Sequence, residues 1–114
     1  MTTIRTELSD SGAQQLWTAL VRARTGATPL TCAHTEDAVF RFYLPMARTM
    51  ARQAWTGMPD AAASRDADQA AELGLAEAVL GWRQPDSAGF ERYARAAISG
   101  RLQRLNARKS RAGE

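Results

Sequence analysis

The chain has one cysteine, one histidine and one lysine among its 114 residues. A single cysteine, Cys32, excludes an internal disulfide and is typical of a reducing compartment. Cys32 and His34 supply only two of the four ligands that a structural zinc site needs, so no metal site and no cofactor is expected. With one histidine, no nucleophile–base motif and no glycine-rich phosphate loop, the sequence does not predict an enzyme.

Long hydrophobic runs are also absent. A membrane-spanning helix needs about 20 consecutive apolar residues, and no stretch approaches that length. The N-terminal sequence MTTIRTELSDSG has no basic segment followed by an apolar core, so no signal peptide is predicted. A chain of 114 residues is long enough for one domain. We therefore expect a cytoplasmic protein of one domain with no membrane partner.

The pattern of apolar residues predicts helices and no strands. Alternating β-branched runs and Asn-Gly hairpin turns are lacking, whereas apolar residues recur every three or four positions in four segments. The expected fold class is all-α, a compact bundle of four main helices. Residues 1–8 are expected to form a flexible N-terminus, residues 9–105 the helical domain, and residues 106–114 a basic C-terminal tail.

Capping residues predict where the first two helices begin. Ser9 or Asp10 can cap a first helix that runs to about Thr25. Thr35, which is followed by two acids, is expected to open the second helix, because acids favour the positive N-terminal end. Pro45 lies within the apolar pattern of that helix and should kink or break it.

The third helix is expected to run from a cap at Ser64 to about Trp82. Asp86 or Ser87 can cap the fourth helix, which has the most regular apolar stripe. The core-facing residues predicted for the third helix are Leu73, Ala76, Val79 and Leu80. The stripe of the fourth helix comprises Phe90, Tyr93, Ala94, Ala97, Ile98, Leu102 and Leu105.

Charge is distributed unevenly along the chain. Residues 1–88 carry eight basic and ten acidic residues, whereas residues 89–114 carry seven basic and two acidic ones. Such a basic C-terminal quarter is typical of a protein that binds a polyanion, and nucleic acid is the commonest one. A solvated basic tail explains the same composition equally well. The arginines that recur here every three or four residues are Arg101, Arg104, Arg108 and Arg111.

Two motifs follow one another between residues 66 and 94. A helical pattern D-x-x-Q-x-x-x-x-G-L-x-x-A is followed by an aromatic residue, and after a short turn comes F-x-x-Y-A. These motifs resemble region 2 of the bacterial sigma factors, the promoter-opening subunits of RNA polymerase. The matching residues are Asp66, Gln69, Gly74, Leu75, Ala78, Trp82, Phe90, Tyr93 and Ala94.

Two further motifs extend the resemblance over roughly residues 14–105. The segment 43–51 matches a Y-L-P-L-V-x-x-x-A helix of the family. Leu16 and Trp17 resemble the Leu-Trp pair that precedes this helix in the flagellar and sporulation branch. The resemblance therefore implies the region 2 fold, including part of the region that precedes it.

The chain departs from the family pattern in three places. Primary sigma factors have two tryptophans where this chain has Ala96 and Ala97, and an acid where it has Arg83. The turn that usually reads D-P-x-x-G here reads R-Q-P-D-S. The helix-turn-helix domain that reads the upstream promoter element is missing from these residues. We therefore expect either a fragment or a stand-alone sigma-like domain.

The resemblance implies a polymerase-binding surface on the third helix. In the family, the exposed face of this helix docks on the clamp coiled coil of the largest subunit of core RNA polymerase. An ordinary helix face with N-terminal acids is the alternative for these positions. The residues expected to contact polymerase are Asp66, Gln69, Glu72 and Leu75.

The resemblance also implies that the fourth helix engages the −10 promoter element. Tyr93 is expected to stack on the flipped adenine of the non-template strand, because aromatic rings capture unpaired bases. Trp82 and Phe90 would form or support that pocket, although Phe90 also fits the core. Gln103 can hydrogen-bond a base edge. The other expected DNA contacts are Arg92, Arg95, Ser99 and Arg104.

Three hypotheses for the function follow. The first is a sigma-like domain that binds core RNA polymerase and recognises and opens the −10 element. The second is a regulatory decoy or accessory protein that binds polymerase or an anti-sigma factor without melting DNA, which the alanines at 96 and 97 favour. The third is a small helical protein that binds DNA without polymerase, and it predicts a steep dependence of affinity on salt.

Overall fold

Four long helices make up the described part of the chain. They are α1 (Thr2–Gly26), α2 (Pro29–Ala54), α3 (Ala61–Gly81) and α4 (Phe90–Ala112). The structure, a computed structural model, describes the backbone of residues 2–26, 28–54, 61–84 and 87–112 and the side chains of 12–26, 28–54, 63–84 and 87–108. No strand occurs in these segments, which confirms the predicted all-α fold.

The helix α3 packs between α2 and α4, while α1 packs on α2 and α4 also contacts α2. One hydrophobic core lies where the four helices meet, and no polar or charged side chain is buried among the residues described. None of the helices, over the same residues, is long and apolar enough to cross a membrane. The largest fully buried side chains are Trp17, Leu20, Val39, Leu75, Phe90 and Ile98.

The start of α2 is fixed by a capping threonine. Thr28 precedes the helix, and its hydroxyl accepts a hydrogen bond from the backbone N–H of Thr31 at 3.3 Å. Pro29 occupies the first helical position, where a missing N–H costs nothing. The predicted start at Thr35 is therefore wrong, because this threonine–proline pair, about two turns earlier, already supplies a complete start signal.

The starts of α1 and α3 also differ from the predicted ones. The helix α1 begins at Thr2 and includes Ser9 and Asp10 in its interior. The helix α3 begins at Ala61 and includes Ser64. Serine and aspartate cost a helix interior less than about 1 kcal/mol relative to alanine, so a favourable neighbouring segment extends the helix through them. Most of the segment 1–8 is therefore helical.

Pro45 lies inside α2 without breaking it. Proline removes one backbone donor and crowds the preceding turn. The helix nevertheless continues to Ala54, because core residues anchor it on both sides: Val39 is buried before the proline, and Ala47 and Ala51 are buried after it. Of the two predicted outcomes, a kink or a break, the break is therefore wrong, since tertiary packing outweighs the local cost.

The core-facing side of α3 is built from small residues. Of the four predicted core residues only Val79 is buried, whereas Leu73 and Leu80 are each 54% exposed. Small side chains let the neighbouring helices approach closely: a Cβ built on Gly74 would lie 2.8 Å from the Cα of Ile98 in α4. The buried residues of α3 are Ala63, Ala67, Ala71, Gly74, Leu75, Ala78 and Val79.

The turn before α4 depends on Gly89. Its φ of 83° lies in the left-handed region, which glycine adopts at little cost. The N–H of Phe90 donates to the carbonyl of Ser87 at 3.1 Å, and α4 begins at Phe90, so the residue that flanks the helix is Gly89 and the predicted cap at Ser87 is wrong. The N–H and hydroxyl of Ser87 both donate to the Oε1 of Gln14, at 3.1 and 3.2 Å, which ties the turn to α1. Asp86, the other predicted cap, lies outside the described residues.

Candidate nucleic-acid and helix-docking surfaces

Phe90 lies at the centre of an aromatic cluster. The centroid of its ring lies 4.7 Å from that of Trp17, 4.8 Å from Tyr43 and 5.9 Å from Trp82. The Phe90 side chain has no exposed surface. A base cannot reach a fully buried ring, so the prediction that Phe90 contacts DNA is wrong. Phe90 instead supports Trp82 from the core side.

Trp82 and Tyr93 form the outer layer of this cluster. Their ring centroids are 5.3 Å apart and the ring planes are inclined by 50°. A base inserted between two rings needs about 7 Å, twice the ~3.4 Å stacking rise of nucleic acid, so the pair leaves no slot. Tyr93 is 42% exposed, and its outer face is therefore where a base can stack.

Gly81, the last residue of α3, makes room for the Tyr93 hydroxyl. A Cβ built on Gly81 would lie 2.8 Å from that oxygen. A larger residue at this position would push the tyrosine ring outwards, since the contacting atom is the end of a side chain. The position of Tyr93 therefore depends on the end of α3 as well as on α4.

Arg24 of α1 fixes the end of α3 from the other side. Its guanidinium donates to the carbonyls of Val79 and Trp82, both at 2.8 Å, and pairs with Glu36 of α2 at 3.2 Å. The side chain is only 14% exposed, so these charge-assisted bonds are shielded from water and satisfy carbonyls that a helix end leaves free. Sequence reasoning missed Arg24, because both carbonyls lie more than 50 residues away in the chain.

The predicted DNA contacts of α4 do not share one side of the helix. At about 100° per residue, Tyr93 and Arg104 lie on one side, next to α3. Arg92, Ser99 and Gln103 lie together about a quarter-turn or more away. Arg92 and Gln103 are exposed and Ser99 is half-buried. One nucleic-acid strand could therefore contact either set, and only a ligand that wraps around α4 could contact both.

Arg95 stands one turn before Ser99, at the edge of the second set that lies towards α2. It is exposed and ion-paired with Glu91 one turn earlier, at 3.4 Å. Together they line a groove with Met46 and Met50 of α2. Arg95 is therefore separated from the side that carries Tyr93, and the structure does not bring these two predicted contacts together.

A groove of about 650 Å³ separates the first half of α3 from the second half of α4. Asp66 and Gln69 line its α3 wall, and Arg101, Arg104 and Arg108 line its α4 wall. The groove thus joins residues predicted to contact polymerase with one predicted to contact DNA. The side chain of the fourth arginine of this row lies outside the described residues.

Of the residues predicted to contact polymerase, one forms an ion pair within the protein and another is fully buried. Glu72 is half-buried, and it pairs with Arg48 of α2 at 3.7 Å. Leu75 has no exposed surface, because it belongs to the core between the helices. The prediction that Leu75 contacts a partner is therefore wrong. Asp66 is half-buried and Gln69 is exposed, so both remain accessible.

The accessible face of α3 carries a row of residues at heptad spacing, which we call the α3 stripe. Successive members are four, three and four positions apart, so they lie along one side of the helix. Phe40 of α2 borders the stripe through a shallow groove that Leu73 and Ala76 also line. The α3 stripe consists of Gln69, Leu73, Ala76 and Leu80.

Sequence reasoning assigned the apolar members of the α3 stripe to the core. The prediction placed Leu73, Ala76 and Leu80 on the buried face of α3, whereas the alanines on the opposite side are the residues that pack inside. The spacing alone could have indicated the stripe, since the positions 69, 73, 76 and 80 repeat as in a coiled coil.

No cluster of three or more histidine, cysteine, aspartate or glutamate residues that could hold a metal ion occurs among the described residues. Cys32 is half-buried and packs against the core.

Comparison of the chain with protein-family models, with curated proteins and with solved structures gives no match.

Proposed function

We propose that this protein is a sigma-factor-like transcription initiation domain, which docks on core RNA polymerase through α3 and engages the −10 promoter element through α4. The α3 stripe is the observation that carries the proposal. Leu73 and Leu80 are each 54% exposed and lie with Ala76 along one side of α3, and an exposed apolar row of this kind is typical of an interaction site. The function has no enzymatic step, and it belongs in the cytoplasm with no membrane partner.

The stripe suits a helical partner. Heptad-spaced apolar residues pack against a second helix with knobs in holes, and the clamp coiled coil of polymerase, the partner that the sigma resemblance implies, is itself helical. Glu72 and Glu77 stand on the two sides of the stripe. Acids in these flanking positions favour a partner helix with basic residues at its edges, since such pairs set partner choice.

Replacing Leu73 and Leu80 together with serine is expected to weaken binding to core RNA polymerase about 10- to 100-fold. A docked partner can bury only the exposed half of each leucine, and the serine variant loses the free energy of that burial at both positions. The dissociation constant can be measured by titrating fluorescently labelled protein with core enzyme.

Leu30→Ser is the matched control for the leucine pair. Leu30 is 69% exposed, but it lies in the first turn of α2 and lines neither groove that borders the α3 stripe. The control should bind core enzyme like the wild type. Equal affinities for all three proteins would show that the stripe is not the docking surface, and absence of binding by the wild type would remove polymerase from the proposal.

The DNA-binding part of the proposal is supported by the positions of Tyr93 and Arg104. They lie on the same side of α4, about 16 Å apart along the helix. A strand whose unpaired base stacks on Tyr93 can thus place a phosphate near Arg104, and stacking with phosphate contacts is the general mode of single-strand binding. Gln103, on the neighbouring side, can read a base edge in the adjoining duplex.

Tyr93→Ala is expected to reduce promoter opening about 5- to 150-fold, because one base–aromatic stack contributes about 1–3 kcal/mol. Affinity for core polymerase should not change, since Tyr93 lies outside the α3 stripe. Opening can be measured by permanganate reactivity of unpaired thymines at the −10 element of a promoter that the holoenzyme transcribes.

Phe42→Ala controls for loss of an exposed aromatic ring. Phe42 is 40% exposed, close to the value for Tyr93, but it lies on α2 and lines a different groove. This variant should open the promoter normally. If Tyr93→Ala leaves opening intact, or if Phe42→Ala lowers it equally, the stacking role of Tyr93 is wrong.

A second candidate function is a regulatory decoy that keeps the docking surface but does not melt DNA. The closed contact between Trp82 and Tyr93 favours it, because no slot for a base lies between the rings. Ala96 and Ala97, where primary sigma factors have tryptophans, favour it as well. A transcription assay with core enzyme separates the two: run-off product supports the initiation domain, and inhibition of another sigma factor supports the decoy. An anti-sigma factor is the alternative partner for the same stripe.

A further inference from the structure

Arg101 and Glu77 form an ion pair across the seam between α4 and α3. The arginine side chain is 33% exposed and the glutamate side chain 50% exposed. The Nε of Arg101 is buried without a hydrogen-bond partner in the part of the chain described. The pair therefore holds the arginine against α3, with only part of its guanidinium satisfied.

Arg101 belongs to the same groove wall as Arg104 and Arg108. Among the described residues, neither Arg104 nor Arg108 is ion-paired, and the Nε of Arg104 donates to the carbonyl of Gly100 in its own helix. Two like charges one turn apart disfavour the helix unless an anion lies between them. Arg101 is thus the member of this wall whose charge is neutralised within the protein.

Glu77 also lies at the edge of the α3 stripe. It directly follows Ala76, in the flanking position of a heptad from which charged side chains reach a partner helix. A basic residue of a helix docked on the stripe can therefore compete with Arg101 for the same carboxylate. One side chain connects the docking surface with the arginine groove.

We propose that Glu77 masks Arg101 in the free protein, and that a basic side chain of the helical partner takes over Glu77 and releases Arg101 to contact a nucleic-acid phosphate. The release step rests on the proposed docking of α3 on polymerase, whereas the masking does not. Because coupling between two binding sites is reciprocal, nucleic acid on Arg101 also leaves Glu77 free and strengthens docking.

Masking is tested without polymerase, by the fluorescence anisotropy of a labelled single-stranded oligonucleotide titrated with the protein at several salt concentrations. Glu77→Gln is expected to tighten binding about two- to fivefold, the effect of one exposed ion pair. It should also steepen the slope of log affinity against log salt by about 0.7, the value for one added phosphate contact on a single strand.

Glu72→Gln is the matched control. It removes the same charge from the same helix, but Glu72 pairs with Arg48 of α2, away from the groove. This variant should retain the wild-type salt slope. The double variant Glu77→Gln, Arg101→Ala should lose the gain of the single one. Equal gains for Glu77→Gln and Glu72→Gln, or a gain that survives loss of Arg101, would overturn the masking.

The release by a partner is tested with the core enzyme present. With polymerase bound, wild type and Glu77→Gln should bind the same oligonucleotide with the same slope, because Glu77 is already occupied in the complex. A difference that persists in the complex would refute the release. If the wild type does not bind core enzyme at all, the docking proposal fails while the polymerase-free result still decides the masking.

Discussion

Replacing Phe90 with alanine is expected to lower the free energy of unfolding by about 3–5 kcal/mol, the usual cost of truncating a fully buried phenylalanine. The ring contacts three other aromatic residues with centroids within 6 Å and has no exposed surface. A small domain is stable by only about 5–15 kcal/mol, so the variant should lose much of its stability. Urea denaturation followed by far-ultraviolet circular dichroism measures the change.

Tyr93→Ala is the control variant with which the loss of stability in Phe90→Ala is compared. Tyr93 stands one turn after Phe90 on the same helix, but its ring lies at the edge of the cluster and is partly exposed. Its removal should cost less than half as much. Phe90→Leu, which keeps most of the volume, should cost less than about 1.5 kcal/mol and serves if the alanine variant does not fold. Equal losses for Phe90→Ala and Tyr93→Ala would contradict the assignment of one ring to the core and the other to the surface.

The second large effect is expected at the closest approach of α3 and α4. Gly74→Ala should destabilise the protein by about 1–3 kcal/mol, the range for overpacking a close contact. A Cβ at this position would lie 2.8 Å from the Cα of Ile98 and 3.0 Å from the carbonyl oxygen of Ala97, both backbone atoms that move only if the helices separate. Helix propensity alone predicts the opposite sign, a gain of about 1 kcal/mol.

Gly100→Ala makes the same substitution in open surroundings. A Cβ on Gly100 meets only the Nη2 of Arg104, at 3.7 Å, which is an ordinary contact. This variant should be more stable than the wild type by up to about 1 kcal/mol. Chemical denaturation of both variants should therefore show changes of opposite sign. A gain at both positions would mean that the two helices are farther apart at Gly74 than the structure indicates.

The sequence predicted α4 well, because one signal dominates there. Apolar residues recur at strict helical spacing, and the stripe residues Phe90, Ala94, Ile98 and Leu102 are buried as predicted, whereas Ala97 and Leu105 are half-buried and Tyr93 is exposed. A glycine in the preceding turn reinforces the start of the helix. Pattern and packing agree in α4, so reasoning from periodicity is sufficient for its fold.

The prediction for α3 failed for a physical reason. Apolar periodicity identifies the buried side of a helix by the size of its residues, but α3 faces neighbours on two sides and packs with its alanines. Small residues allow short distances between helix axes. The alanines of α3 can be recognised as its buried side only when the positions of the neighbouring helices are known. Leu73, Leu80 and Leu75 exchanged roles as a result: the two expected inside are exposed, and the one expected at a partner surface is buried.

Parts of the candidate site could not be predicted from the sequence at all. The bonds from Arg24 to the end of α3 and the pair between Glu77 and Arg101 join residues that are distant in the chain. Charged residues are common on every helix here, and nothing local indicates which two will meet. Only the relative placement of the helices determines such pairs, so a single sequence leaves them open.

The alanine content of the core has a consequence for the thermodynamics of folding. An alanine loses no side-chain rotamer freedom when it is buried, so much of this core forms without the entropy cost that leucine or methionine would carry. Each alanine also removes little apolar area from water, which limits the hydrophobic gain and the associated heat-capacity change. Stability should therefore vary weakly with temperature and should depend on a few large side chains. The buried alanines in the described core cluster are Ala47, Ala51, Ala63, Ala67, Ala71, Ala78 and Ala94.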